Sequence, residues 1–189
     1  MSGLSRRNAI LTARRHLERL PVYLDTETTG TDYIDGIVEI ALVDHDGSVL
    51  LETLVRPHRP IPADATAIHG ITNAMVREAP GWQDVWPQVH DLLRGRQVGI
   101  YNAEFDIKML QQSHRHARMQ WQRIGATQFC IMKLYADFRD EPGAYGTPRW
   151  HKLEDAGRQC GIALPNAHRA LADALLARAV LLHMAQADD

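Results

Sequence analysis

The sequence predicts an α/β domain built on a mixed sheet, and two observations carry that expectation. Ile37 to Asp44 and Ser48 to Arg56 read as strands joined by Asp46-Gly47, a two-residue hairpin signal. Beyond them, strand and helix periodicities alternate toward the end of the chain, as expected for helices flanking a shared sheet. At 189 residues there is room for one well-buried core and little for a second. The expected division is an N-terminal amphipathic helix extension over residues 1–20 and a single domain over 21–189.

Residues 5–20 place Ile10, Ala13, Leu17 and Leu20 at helical spacing between arginines, and Pro21 ends the run. An amphipathic helix lying on the domain is preferred to an arginine-rich nucleic-acid arm. A strand follows from Val22, and after the hairpin Pro57, Pro60 and Pro62 open a loop. Short helical turns are expected around Ala63 to Ile68 and Thr72 to Arg77. Trp82, Val85, Trp86, Val89, Leu92 and Leu93 form one helix face. Gln97 to Tyr101 reads as a strand, Glu104 to His116 as a helix, and Thr127 to Ile131 as a strand running into a helix to about Phe138. Glu141 to Arg149, rich in Gly and Pro, reads as a mobile loop. Leu153 to Cys160 is helical up to Gly161. His168 or Arg169 opens a final helix to about Ala185, with Leu171, Leu175, Leu176, Ala179 and Leu182 along its buried side.

No stretch approaches the ~18 uncharged apolar residues that span a bilayer, so no membrane partner is expected. Cys130 and Cys160 lie far apart in apolar surroundings, which reads as free thiols in a reducing, cytoplasmic compartment. The net charge of −2 does not decide for or against a nucleic-acid partner, because some acids can be neutralised by metal while arginines and lysines recur from Arg94 to Arg169.

Asp25 and Glu27 are the most informative residues. They end the strand Val22-Tyr23-Leu24-Asp25-Thr26-Glu27, and residues two apart on a strand share a face. Like charges that close raise each other's pKa, and a hard divalent cation with oxygen ligands is the usual remedy. Asp106 sits where a strand gives way to a helix, a placement that suits a ligand, although taken alone an acid favouring the helix dipole is the preferred reading. Asp173 interrupts a nearly apolar helix, where a charge must be paired or metal-bound. His168, five positions earlier, would not share its face in mid-helix, but from just before the first turn it can swing toward the same cavity.

The ordered set Asp25-x-Glu27, Asn102-Ala103-x-Phe105-Asp106 and His168-x-x-x-x-Asp173 resembles the DEDDh family of 3′→5′ exonucleases, which includes polymerase-associated proofreaders. Ile37-Val38-Glu39-Ile40-Ala41 and Ala67-Ile68-His69-Gly70-Ile71-Thr72 extend the likeness to nearly the whole chain from Val22 to about His183. The resemblance implies a ribonuclease H-like exonuclease fold and hydrolysis of phosphodiesters from the 3′ end of single-stranded or frayed DNA. It implies two Mg²⁺ ions, replaceable by Mn²⁺, with Asp25, Glu27, Asp106 and Asp173 as metal ligands and His168 as general base. It further implies substrate contacts from Thr28, Thr29, Ile68, His69, Asn102 and Phe105, with Phe105 also fitting core packing and Asn102 fitting a helix cap.

The alternatives are an exoribonuclease in RNA maturation or turnover, and a non-catalytic polymerase-accessory module. The intact acids and His168 weigh against the second. The chain carries no tail beyond the last helix, so a stand-alone repair or trimming enzyme is expected, with a homodimer left open. His114-x-His116 reads as a solvated surface, Gln88 to Leu93 as core packing in preference to a clamp-binding peptide, and Trp82, Trp86, Trp121 and Trp150 as packing residues.

Overall fold

The computed structural model describes residues 2–125, 127–143, 146–163 and 168–188, with side chains from residue 5 onward. In chain order the elements are α1 (Ser2–Leu17), β1 (Val22–Thr28), β2 (Ile37–Val43), β3 (Val49–Leu54), α2 (Ala63–His69), α3 (Trp82–Leu93), β4 (Gln97–Ile100), α4 (Ala103–His116), β5 (Thr127–Cys130), α5 (Ile131–Arg139), α6 (Leu153–Gln159) and α7 (Ala170–Gln186). The sheet has the order β3-β2-β1-β4-β5. β1 pairs antiparallel with β2 and β2 with β3, whereas β1 with β4 and β4 with β5 are parallel, so the sheet is mixed. The β2–β3 turn closes through Asp44 N–H to Ser48 O at 2.8 Å, and Gly47 at φ 96° takes the left-handed turn position.

Strand alternation sorts the core into two layers. Tyr23 and Val43 face α1, α5 and α7 on one side of the sheet. Val22, Leu24, Ile40, Leu42, Val98 and Ile100 face α3 and α4 on the other. A smaller cluster of Val38, Ile61, Ala65, Ile71 and Val76 secures α2 and the turns that follow it. Trp82, Val85, Trp86, Val89 and Leu93 are the buried face of α3; of the Gln88–Leu93 run, Val89 and Leu93 pack in that core, whereas Gln88 and Asp91 are exposed.

α7 departs from the expected face. Ala170, Ala174, Ala177, Leu181 and Met184 form a continuous buried stripe at i, i+4, i+7 spacing. Of the leucines read as its buried side, Leu176 is buried, whereas Leu171, Leu175 and Leu182 are only half-buried. Small side chains toward the sheet let the helix approach it closely.

α1 lies on α5 and α7 through buried Ala9, Ile10 and Ala13. Its arginines serve that docking: Arg14 donates from Nε to Ala185 O at 2.8 Å and from Nη2 to Ala187 O at 3.0 Å, matching a cation to the C-terminal end of α7. Arg6 lies 4.0 Å from the centre of the Phe138 ring. Leu20 leaves the helix at φ 49° and is exposed, contrary to the apolar stripe expected to include it.

Two further expectations need correction. His114 is buried among Trp82, Trp86 and Trp121, so the His114-x-His116 stretch is not a solvated face. Trp82 and Trp86 are packed as expected, but Trp150 is 60% exposed. Residues 144–145 of the Glu141–Arg149 loop lie outside the described residues, and the loop's flanks are tied by Gly143 N–H to Thr147 O and Arg149 N–H to Glu141 O. Among the described residues no helix is long and apolar enough to cross a membrane.

Candidate active site

β1 carries Asp25 and Glu27 on the α7 side of the sheet and Thr26 on the α4 side. A register irregularity between Glu27 and Thr28 ends regular pairing at this point, the kind of local kink that re-aims side chains at a strand end. Asp173, in the first turn of α7, continues the helix's buried stripe one turn beyond Ala177. It therefore descends onto Asp25 and Glu27, and one carboxylate oxygen from each of the three lies within 4.8 Å of the others.

Asp106 approaches from the opposite face. It is buried in the first turn of α4 and accepts a hydrogen bond from Thr26 Oγ1 at 2.8 Å. It stands apart from the close group of three, yet its charge is the largest of those acting on Asp25. The sequence reading passed over Thr26, although strand alternation points it away from the acid pair and toward α4.

The electrostatics are those of crowded, partly desolvated acids. Desolvation first, then Asp106, Asp173 and Glu27, push the Asp25 carboxyl well above its ordinary value. Desolvation and the charges of Asp173 and Glu39 push Glu27 up to about 8. Asp173 is raised to about 6, mainly by desolvation, with the His168 side chain and backbone acting in the opposite sense. Asp106 is also raised by burial, against the pull of its Thr26 hydrogen bond.

Glu39 is the residue that sequence reasoning missed. It is 1% exposed on β2, directly opposite Glu27. Arg169 Nε lies 3.2 and 3.1 Å from its two oxygens, Arg169 Nη2 adds a further contact, and Ala170 N–H donates to it at 2.9 Å. Glu39 thus fixes the N-terminal end of α7, the turn that carries Asp173. A charged residue inside the otherwise apolar Ile37-Val38-Glu39-Ile40-Ala41-Leu42-Val43 was the available signal.

His168 precedes α7 at φ 67°, and its Nε2 lies 2.8 Å from Glu154 Oε1 on α6. The imidazole is therefore turned toward α6, while the His168 backbone hydrogen-bonds Asp173.

Beside the acids, a cleft of about 360 Å³ is lined by Glu27, Thr28, Thr29, Asp35, Ile68 and His69, among others. That volume is within the ~300–1,000 Å³ common for small-ligand sites. The Thr29 hydroxyl donates to Asp35 Oδ1 at 2.8 Å, and Arg59 Nη1 lies 3.3 Å from the same oxygen. Gly30 is required here: at φ 152°, an added Cβ would lie 2.5 Å from Asp35 Oδ2. Ile68 is 59% exposed at the rim, whereas His69 is buried and its Nδ1 accepts the Ile71 N–H at 3.0 Å. Phe105 is half-buried against the α3–α4 core. Asn102 precedes α4 at φ 59° without a side-chain capping bond, so its exposed amide is not used as a helix cap.

Residues 22–181 match the RNase T family model, described as Exonuclease. The uncharacterized exonuclease CP81 of Escherichia phage 186 is 42% identical over 166 residues, spanning 85% of this chain and 86% of that protein. Exonuclease X, solved in complex with 5′ overhanging duplex DNA, is 31% identical with a TM-score of 0.63, over 87% of this chain and 90% of that one. The nuclease domain of 3′hExo, a DEDDh family member bound to rAMP, has a TM-score of 0.73 at 18% identity, over 89% and 92% of the two chains. At that identity the last likeness speaks to the fold alone, which is the ribonuclease H-like exonuclease fold. The chain belongs to the RNase T-type exonuclease family, whose members are nucleases acting on nucleic acids.

Proposed function

We propose that the protein is a metal-dependent 3′→5′ exonuclease that trims single-stranded or frayed DNA and releases nucleoside 5′-monophosphates. The observation that carries this reading is the meeting of Asp25, Glu27 and Asp173 within 4.8 Å, while the Arg169 guanidinium is taken up by Glu39. Desolvated, mutually repelling oxygen donors fit a divalent cation, and Mg²⁺ is the ion assigned, with Mn²⁺ able to substitute. Asp25, Glu27 and Asp173 would hold one ion, and Asp25 with Asp106 a second. When bound, such a pair supplies an activated water and neutralises charge on the phosphate and leaving oxygen.

The chain's own groups do the rest. Thr26 fixes Asp106 from the far side of β1. The backbone of Thr28 and Thr29 would hold the terminal 3′-hydroxyl at the mouth of the cleft. His69 walls the cleft, and exposed Ile68 would wedge against the terminal base, with Phe105 and Asn102 contacting the strand from α4. His168 would take the proton of the attacking water. To do so it must turn away from Glu154, whose carboxylate holds its Nε2 at 2.8 Å.

The identity with a protein solved on overhanging DNA favours DNA over RNA. The half-buried free thiols Cys130 and Cys160 support a reducing, cytoplasmic setting. The test is hydrolysis of matched 5′-labelled and 3′-labelled DNA and RNA oligomers with Mg²⁺, with Asp25→Ala as control. Stepwise ladders on 5′-labelled DNA, lost in the variant, are expected. Undiminished cleavage by Asp25→Ala would sink the reading, and a preference for RNA would reassign the substrate.

A further inference from the structure

We propose that Trp150 and the groove beneath it form a stacking platform for the polynucleotide strand 5′ of the bond that is cut. The inference rests on the nuclease reading above and deepens it by assigning the path of the strand away from the acids.

Trp150 stands apart from the other tryptophans. Trp82 and Trp86 are buried and Trp121 is half-buried against the α3–α4 core, whereas Trp150 leaves 60% of its surface in water. Exposing so large an aromatic surface forfeits burial energy, and an unpaired indole face is what a nucleobase stacks on. The segment that carries the ring is anchored, because His151 is buried and its carbonyl accepts the Tyr101 hydroxyl at 2.9 Å. Trp150 therefore projects from an anchored segment.

Position supplies the second argument. Trp150 shares a groove with Tyr101, Asn102, Met132, Lys152 and Leu153 at the C-terminal end of β4. β4 is the neighbour of β1 on the side away from β2. The cleft of Thr28, Thr29 and His69 lies at the exit of β1 on the side of α2, and Glu27 belongs to it. The acids thus stand between two openings, one suited to the terminal nucleotide and the other lined by Trp150. Asn102 belongs to the second opening and is four residues from Asp106; Glu154, the partner of His168, follows Trp150 by the same interval. The groove is therefore built on the same elements, the start of α4 and of α6, that carry Asp106 and hold His168.

Charge supplies the third. Arg149 and Lys152 flank Trp150 and are exposed, Arg149 lying 3.8 Å from Glu141, and Lys133 is exposed nearby on α5, where it pairs with Glu104. Cations around an aromatic face over an apolar floor match a single strand, whose phosphates alternate with bases. Such stacking tolerates any base, so the platform would hold the strand without reading its sequence.

The experiment compares wild type with Trp150→Ala and Trp150→Phe on two substrates: a single-stranded DNA decamer, and the p-nitrophenyl ester of thymidine 5′-monophosphate, which has no nucleotide upstream. Loss of one base–aromatic stack predicts a rise in decamer KM of about 5- to 150-fold in Trp150→Ala, with kcat unchanged. Ester hydrolysis should stay at the wild-type rate, and Trp150→Phe should recover most of the decamer affinity. In parallel, decamers with 2-aminopurine at successive positions are titrated with each protein in EDTA. Wild type should quench the probe at one or two positions upstream of the 3′ end, and Trp150→Ala should not.

Unchanged decamer KM and unchanged quenching in Trp150→Ala would overturn the platform. So would an equal loss on decamer and ester, which indicates a structural role, or a shift in sedimentation without a change in KM, which makes the groove an interface between copies. Wild type that hydrolyses neither substrate defeats the nuclease reading itself, whereas the quenching titration still decides whether Trp150 stacks on a base.

Discussion

Glu27 on β1 and Glu39 on β2 stand opposite one another in the antiparallel register, and the protein treats the two carboxylates in opposite ways. Glu39 receives a guanidinium and a helix N–H, and its charge is matched within the fold. Glu27 meets Asp173 and Asp25 instead, and is pushed up to about 8. One partially desolvated acid is satisfied by the chain, and its neighbour is left for something the chain does not supply. The difference separates an acid that builds the site from an acid that works in it.

Substitution should separate the two classes, and the largest effect belongs to Asp25→Asn. Hydrolysis should fall by at least about 10³-fold, the upper range for losing one preorganised electrostatic group. The same variant should melt higher than wild type in EDTA, because a repelling charge is gone; relief of about 1 kcal/mol would raise Tm by about 2–4 °C. A lower melting temperature would break the comparison.

Arg169→Gln should act in the opposite sense. It leaves Glu39 buried without its cation, at a cost of about 2–4 kcal/mol once the partial exposure of Arg169 is discounted from the usual penalty for breaking a buried pair. Thermal melts should show this in EDTA and in Mg²⁺ alike, and adding Glu39→Gln should recover most of the loss. If the double variant is no better than the single, Glu39 is not matched in the way described.

Adding Mg²⁺ should stabilise the wild type by about 2.7 kcal/mol at a hundredfold excess over Kd. Melts of Asp25→Asn should respond far less, and equal responses would place the ion elsewhere.

The smallest effect concerns Asp44, just past β2, which is paired at the surface. The hydrogen bond from Arg96, helped by those from His45, holds its carboxyl well below the usual range. A depressed folded-state pKa contributes stability above the unfolded value of about 4, and that contribution is lost as pH falls through the folded one. Asp44→Asn should therefore cost about 0.5–1 kcal/mol near pH 7, the scale of an exposed pair, and the gap from wild type should narrow steadily below about pH 4. A gap that stays constant with pH would assign the loss to packing.

The sequence made the sheet legible because Asp46-Gly47 and the apolar runs around it are local signals. Asp25 and Glu27 were legible as a same-face pair at the end of a strand, and Asp173 because it interrupts a nearly apolar helix. Features that depend on distant partners were not. Hydropathy ranked the leucines of α7 above its alanines, but close approach to the sheet selects small side chains. His114 looked like surface until Trp82, Trp86 and Trp121 closed over it. Glu39 finds Arg169 from 130 residues away, and no local pattern names that partner. Trp150 was read by residue type, and only its place in the fold exposes it.

Thr26 has a consequence of its own. Asp25, Thr26 and Glu27 are consecutive, so a pleated strand delivers two acids to one side of the sheet and a hydroxyl to the other, where it holds Asp106. Sliding this strand by a single residue would hand the hydroxyl to α7 and the acids to α4. Chemistry and pairing are thereby written in the same three letters, and an insertion tolerated in a surface loop would be ruinous here. Thr26→Val is nearly the same shape and leaves the pleat intact, yet it unties Asp106, so it isolates what the hydroxyl contributes from what the strand contributes.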